Sequence, residues 1–399
     1  MKSDKTTPNV PTLRFAEFTD EWEKYELSHF VTRITRRNKN NESSLPLTIS
    51  AQYGLVDQIS FFNKTVASVD LSGYYLLYNG DFAYNKSYSN EYAWGAVKRL
   101  DKYEKGCLSS LYFVFRPNDN VDSDYLTHYF ESSKWHKGIS NIAGEGARNH
   151  GLLNMAVDDY FATKHCLPSL PEQKKIARFF NAITRRIEIQ NKIISKYETL
   201  IKGIYHEFFS KPADYAIKIK DLIIKGKSGG TPSSTVARYY NGDIPFLSIS
   251  DMTKQGKYVS YTEKHISKSG IENSSAWIVP SNSLIFSMYA SVGLVCINTV
   301  PLATSQAMFS MVLKDRRMIE YIYYYLNFFR ETKIHRHIET GTQSNINAET
   351  VRNIDIPFQS NHLKLVETLN SIEKRLNNEK DMLSLLLDLK AYLLSKLFI

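Results

Sequence analysis

Apolar residues recur at alternating intervals of three and four in two stretches of this chain. The first runs through Ile176, Phe180, Ile183, Ile187, Ile194, Tyr197, Ile201, Ile204 and Phe208, the second through Leu365, Leu369, Ile372, Leu376, Leu383, Leu386, Leu393 and Leu397. This spacing is the seam of a helix that packs along another helix, and it predicts two long helices of matching register. A polar residue interrupts each series at the same step, Gln190 in the first and Glu379 in the second, as expected of a pair with a defined alignment; Lys390 is a further break. Leu167-Pro168-Ser169-Leu170-Pro171-Glu172-Gln173 leads into the first helix, where Pro171 occupies a first-turn position that has no use for its missing N–H. That helix should end near Phe209, before the break at Lys211-Pro212-Ala213-Asp214. The second has no proline-led entry, its approach reading Ile356-Pro357-Phe358-Gln359-Ser360-Asn361-His362.

Outside the helices the periodicity is mixed. Between Tyr25 and Pro168, short apolar runs such as Leu45 to Ile49, Tyr74 to Tyr78 and Leu111 to Phe115 are divided by Gly, Asn, Asp and Pro and read as strands. Tyr125 to Trp135 reads as a helix with Tyr125, Leu126, Tyr129 and Phe130 on one face. The region from Tyr215 to Pro357 retraces the first in order. Leu47 to Ser50 is echoed by Leu247 to Ser250, and Asp124-Tyr125-Leu126 with Tyr129 by Glu320-Tyr321-Ile322 with Tyr325. Asn154-Met155 pairs with Asn345-Ile346 and Leu167-Pro168 with Ile356-Pro357, at an offset of roughly 190 to 200 residues that exceeds any solenoid period.

An internally duplicated α+β chain is therefore expected: an arm at 1–24, a first mixed α/β domain at 25–168, a long helix at 169–210, a second domain at 211–357 and a long helix at 358–399. The two helices would lie antiparallel, with the domains at opposite ends about a pseudo-twofold axis. About 33 helical residues at ~1.5 Å each make a spacer on the order of 50 Å.

A composition of 43% hydrophobic and 23% charged residues in 399 excludes a disordered or membranous chain and allows two domains. No apolar run approaches the roughly 20 residues of a membrane span, and Met1 to Pro11 is polar, unlike a signal peptide, so a cytoplasmic location is expected. Cys107, Cys166 and Cys296 are far apart among apolar or aromatic neighbours and read as core thiols. The net charge of +9 favours a polyanionic partner. Two similar but non-identical basic heads on a rigid spacer suit an asymmetric, bipartite site on double-stranded DNA.

Catalytic motifs are missing. Gly226-Lys227-Ser228 looks like the end of a phosphate-binding loop, but position 221 is Asp where a glycine is required, so a turn or a DNA-facing loop is expected. There is neither an Asn-Pro-Pro-aromatic string nor a glycine-rich loop for S-adenosylmethionine. His335 and His337 lack the Cys or carboxylate company of a metal site, and Asp158, Asp159 and Asp355 read as strand-end and turn carboxylates.

Candidate DNA contacts follow from what phosphates and base edges accept. In the first domain they are Arg33, Arg36 and Arg37 with Lys39; Lys86 and Tyr88 in Asn85-Lys86-Ser87-Tyr88; and Arg148, Asn149 and His150 within the glycine-rich stretch from Gly144 to Gly151. In the second they are Lys225, Lys227, Gly230 and Thr231; Ser287, Tyr289 and Ser291; Arg336; and Gln343, Ser344 and Asn345 after Gly341. For each loop the alternative is a solvated basic surface. The aromatic run Tyr321 to Phe329 reads as a core helix rather than a base-stacking platform.

The sequence resembles the specificity (S, HsdS) subunit of type I restriction-modification systems. The resemblance rests on Leu13-Arg14-Phe15 with Glu21-Trp22, on Leu167 to Ile176, on Gly229-Gly230-Thr231-Pro232-Ser233 followed by Ile244 to Asp251, on Leu284 to Met288 with Val292-Gly293, and on Gly341 to Ile346. It implies two target recognition domains, each followed by a long helix and each reading one half of a split DNA site. It further implies that two methyltransferase (modification) subunits, and through them motor/endonuclease (restriction) subunits, act where this chain directs. S-adenosylmethionine, ATP and Mg would then sit on those partners, with no cofactor on this chain and no catalysis by it alone. Partner contacts would use the outer helix faces, such as Lys174, Arg178, Arg185, Lys374 and Lys380, which otherwise form a solvated surface. The first domain lacks the Gly-Gly-Thr-Pro-Ser string, so the two domains should read different sequences. Two other classes fit less of the pattern: an interaction scaffold with duplicated peptide- or carbohydrate-binding domains on a coiled coil, and a self-sufficient DNA enzyme.

Overall fold

The computed structural model describes residues 9–64, 66–88, 92–143, 151–289, 291–337 and 345–399. The chain divides into two units, Met1–Lys192 with Asp381–Ile399 and Ile193–Lys380, so each unit takes part of both long helices.

The first unit begins with β1 (Glu23–Glu26) and β2 (Val31–Arg33), followed by β3 (Phe82–Asn85), β4 (Ala96–Arg99) and β5 (Phe113–Pro117). The last four strands form an antiparallel sheet of order β2-β5-β3-β4. The strands expected at Leu45 to Ile49 and Tyr74 to Tyr78 are present as Leu47–Ser50 and Tyr75–Tyr78, members of separate two-stranded pairs. Next comes α1 (Ser123–Glu131), whose Tyr125 N–H is capped by Asp122 Oδ1 at 2.9 Å and which buries Tyr125, Leu126, Tyr129 and Phe130 as the spacing predicts. It stops short of the expected Trp135, which packs in the core after the helix and donates its Nε1–H to Phe130 O at 3.1 Å. Asp158 and Asp159 lie in the first turn of a short helix, Val157–Phe161, rather than at a strand end. β6 (Lys164–Leu167) then pairs antiparallel with β1 and delivers the chain into α2 (Leu170–Phe209).

The Pro-Glu-Gln turn that opens α2 is a joint. Glu172 and Gln173 are each 1% exposed. Glu172 accepts two bonds from Arg14, both 2.8 Å, and Gln173 Oε1 accepts Asp122 N–H at 2.8 Å while its Nε2 donates to Pro168 O. Residues 9–24 are tied down by the same joint, through Arg14, and by Trp22, a core residue.

In the second unit β7 (Tyr215–Lys218), β8 (Ile223–Ser228), β9 (Tyr258–Val259), β10 (Ser283–Ser287), β11 (Val295–Asn298) and β12 (Met308–Leu313) precede α3 (Ile319–Thr332), β13 (Asp355–Phe358) and α4 (His362–Leu397). The sheet order is β8-β12-β10-β11-β9, and β7 pairs antiparallel with β13. Strands β8, β12, β10 and β11 repeat the order of β2, β5, β3 and β4, and β9 is an addition at the edge, parallel to β11. The helix α3 buries Tyr321, Ile322, Tyr324, Tyr325, Leu326, Phe328 and Phe329, so the aromatic run is core. Two local readings are corrected. Gly226-Lys227-Ser228 is strand, because it pairs antiparallel with Met311, Ser310 and Phe309 of β12, and a Cβ on Gly226 would press on the Ile223 and Phe309 side chains; Asp355 opens a strand rather than a turn.

The seams are used as their spacing predicts. In the first unit Ile176 and Phe180 are buried, and the Phe180 ring stacks on Phe398, just beyond α4, at 5.6 Å. In the second unit Ile194, Ile201 and Phe208 of α2 and Leu365, Leu369 and Leu376 of α4 are buried, and Gln359 Nε2 donates to Phe208 O at 2.9 Å. The start of one helix thus meets the end of the other, an antiparallel pairing.

A second duplicated feature joins each domain to its helix. In the first unit Asn181 Nδ2 donates to Asp124 at 2.8 Å, its Oδ1 meets His128 Nε2 at 2.8 Å, and Arg99 pairs with Asp124 at 2.7 Å. In the second, Asn370 Nδ2 donates to Glu320 at 2.5 Å, its Oδ1 accepts Tyr324 O–H at 3.3 Å, and Lys257 pairs with Glu320 at 3.2 Å. Among the described residues no helix is long and apolar enough to cross a membrane.

Candidate nucleic-acid interface

The strand register decides which loops meet. In the first unit β2 and β3 both run antiparallel to β5, so their C-terminal ends leave the sheet on the same side. From β2 come Arg33 to Arg37 and from β3 come Lys86 to Tyr88. The latter pairs with the chain that emerges from the glycine-rich stretch: Tyr88 N–H donates to Gly151 O at 2.9 Å and Leu153 N–H to Lys86 O at 3.0 Å, around a bridge between Ser87 and Leu152. Gly95 lets the chain enter β4 close against the end of β3, since its φ is +77° and a Cβ would lie 2.1 Å from Asn85 O.

The second unit repeats the construction. Gly229 N–H donates to Met308 O at 3.1 Å, Met308 is the register partner of Ser287, and Ile346 N–H donates to Met288 O at 3.0 Å beside a Tyr289–Asn345 bridge. Loops around 229–231, 287–291 and 345 therefore converge at one end of the sheet. The sequence placed these strings far apart and gave no sign that they would meet.

Within these clusters the candidate side chains differ in availability. Arg36 is held inside the fold: Nε donates to Leu76 O at 3.1 Å, Nη2 pairs with Asp81 at 2.9 Å, and the guanidinium lies 4.3 Å from the Tyr78 ring centre. Asp81 is fully buried and also paired with Arg116 at 2.6 Å; burial pushes its carboxyl up against the pull of Tyr78 N–H and the two arginines. Arg37 donates to Gly73 O at 2.8 Å and stacks on Tyr75. Arg33 has only a 3.7 Å approach to the exposed Asp158. Lys86 lies 4.5 Å from the Phe113 ring centre, and burial lowers its ammonium from the usual lysine value. Tyr88 is exposed.

In the second unit Lys227 and Arg336 are exposed, with no ion pair among the described residues, while Lys225 sits 4.1 Å over Trp277. Gly230 is buried; its N–H donates to Thr304 O and its bare Cα admits Ser275 and Ala276, so packing accounts for the glycine. Ser287 is buried, with its hydroxyl on Tyr289 O at 2.8 Å, whereas Tyr289 and Ser291 are exposed. Thr231 donates to Gln306 Oε1 at 2.5 Å. Gln306, exposed in the same cluster, is a base-reading candidate that the sequence reading passed over; its signal was the polar Ser305-Gln306 pair between two apolar strand runs. Asn345 is half-buried at the bridge. Arg148, Asn149, His150, Gln343 and Ser344 lie outside the described residues. On the helices, Lys174, Arg178, Arg185 and Lys374 are exposed, and Lys380 pairs with Glu198 at 2.8 Å.

Comparison with known proteins adds three findings. Residues 213–382 match the family described as type I restriction modification DNA specificity domain. The chain is 28% identical over 174 residues to the type I restriction enzyme MjaIX specificity subunit of Methanocaldococcus jannaschii, covering 42% of this chain and 40% of that protein. It is 32% identical over 200 residues to the HindI specificity subunit of Haemophilus influenzae, covering 46% and 43%. The match thus spans about two fifths of the length of these relatives. The fold is shared over nearly the whole chain with the crystal structure of a type I restriction-modification S subunit from M. genitalium, at a TM-score of 0.54, 15% identity, and 98% and 99% coverage. A structure describing complex assembly and conformational transition of a type I system gives a TM-score of 0.55 at 16% identity, covering 94% and 97%.

Proposed function

We propose that the chain is a specificity subunit of a type I restriction-modification system, the DNA sequence-recognition subunit of such a complex, each of its two domains reading one half of an asymmetric bipartite site; the match of residues 213–382 to the DNA specificity domain and the similarity to specificity subunits support this reading. The observation that carries the reading is the duplicated loop pairing: in each unit the chain leaving one sheet strand, 86–88 in the first and 287–289 in the second, meets a returning segment, 151–153 and 345–346. Exposed Lys227 and Arg336 suit phosphates, Tyr289 and Tyr88 can line a groove, and Gln306 and Asn345 offer the paired donor and acceptor that adenine accepts. Arg148, Asn149 and Gln343 belong to the same proposal by their place in the sequence.

In this reading the chain is not catalytic by itself. The exposed faces of α2 and α4 dock methyltransferase subunits, which bind S-adenosylmethionine and methylate adenine N6 after flipping it from the stack. Restriction subunits with ATP and Mg join through the complex. The continuous helices fix the spacing between the two half-sites. Methylation-site sequencing of cells with and without this chain tests the proposal. Loss of adenine methylation at one split motif is expected, and an unchanged methylome refutes it.

A further inference from the structure

The two units differ at one edge of their sheets. In the second, β11 carries β9 on its outer side, Tyr258 opposite Ile297 and Val259 opposite Asn298. In the first, β4 holds the equivalent place and ends the sheet, with no further strand among the described residues. A groove of about 850 Å³ runs beside it. Ala96, Val97 and Lys98 of β4 form one wall, and Leu387, Ala391 and Leu394 of α4, spaced by four and three, form the other.

The charges in this groove do not balance. Glu131 is already engaged by Lys390 at 2.9 Å and by His128 at 3.1 Å. Burial would raise its carboxyl, but His128 and Lys390 hold it down to about 2. Lys98 is half-buried and burial lowers its ammonium; the carboxylate that acts on it is this same Glu131, against the repulsion of Lys390, and it has no ion pair of its own among the described residues. The second unit shows how such a cation is otherwise treated. Lys257, whose side chain is 9% exposed at the entry to β9, is matched by Glu373 at 2.7 Å and Glu320 at 3.2 Å. A shielded ammonium that must share its carboxylate with a second lysine is costly, and an unpaired strand edge offers a template for backbone pairing.

We propose that the groove beside β4 receives an extended protein segment that adds to β4 as a fifth strand and brings a carboxylate to Lys98. Main-chain bonds to the edge would supply attachment, and the carboxylate, with the apolar wall of α4, would supply selectivity. That the segment belongs to a methyltransferase subunit rests on the functional reading above. The occupant differs from the outer-face helix contacts because it lies between a recognition domain and α4 within one unit.

The test uses the full chain assembled with its methyltransferase subunits. A photoreactive residue in place of Gln52, exposed at the groove rim, should cross-link to an acid-bearing segment of that subunit. Lys98→Glu should weaken assembly by at least about 30-fold, as expected for opposing a desolvated charge pair, while Lys98→Arg retains it. Unchanged circular dichroism and melting of both variants establish that they are folded. Cross-linking to DNA or to a second copy of the chain, or assembly of Lys98→Glu at wild-type affinity, overturns the groove proposal alone. Failure of the wild-type chain to assemble with methyltransferase subunits overturns the functional reading, and this partner with it.

Discussion

His165 shows how a single buried side chain sets a condition on the whole fold. Thr163 Oγ1 donates to Tyr160 O at 2.7 Å and so accepts from His165 Nε2–H at 2.8 Å, leaving Nδ1 to accept Tyr129 O–H at 2.7 Å. The ring has no place for a second proton, and burial pushes its pKa down from 6.5 to about 4. Between those values the unfolded chain binds more protons than the folded one. This contribution is therefore complete above pH 6.5 and is lost as pH falls toward 4, amounting to about 3 kcal/mol over the window. Urea unfolding of His165→Gln should be less stable near neutrality and lack that part of the acid slope. Arginines and lysines looked alike in the sequence but differ in use. Lys227→Ala should reduce DNA affinity equally for all sequences and flatten the salt dependence by about one unit of slope. Arg36→Ala should instead lower stability and couple with Asp81→Ala by about 1 kcal/mol in a double-mutant cycle, because that guanidinium already serves a buried carboxylate. No composition argument separates the two, since the difference lies in Asp81, 45 positions away in the chain.

At the scale of elements, the helices were the most legible part. The seam residues, the proline-led entry and the stop after Phe209 depend on local spacing, and α2 spans Leu170–Phe209 as expected. Strands were legible as existing but not as partners. The sheet order β2-β5-β3-β4 rests on pairings such as Val31 with Pro117 that no short-range pattern encodes. The helices also carry a prediction. Removing one heptad between Ile187 and Ile194 keeps the seam in phase, so the pair should still fold and the permitted distance between half-sites should change, with neither half altered. Methylation profiling of the variant measures this, and relaxed recognition within one half would contradict the spacer role.

For the molecule as a whole, the duplication predicts modularity. If the proposed function holds, replacing residues 215–357 with the corresponding segment of a known specificity subunit should change one half of the methylated motif and leave the other intact, as read by methylation sequencing. The joints that make this possible are inside each unit: Asp124 with Asn181 in the first, Glu320 with Asn370 in the second. The sequence by itself determined that there are two copies, that each is followed by a long helix, and that the chain is basic enough to seek a polyanion. Those properties reside in periodicity, internal similarity and composition, which a linear string carries in full. Only the tertiary structure decided that 86–88 meets 151–153 and 287–289 meets 345–346, that Arg36 is spoken for while Lys227 is free among the described residues, and that Lys98 shares Glu131 with Lys390 where Lys257 has two carboxylates of its own. Such facts depend on pairings between distant residues, and the energy of a charge or a loop is set by what the fold places beside it.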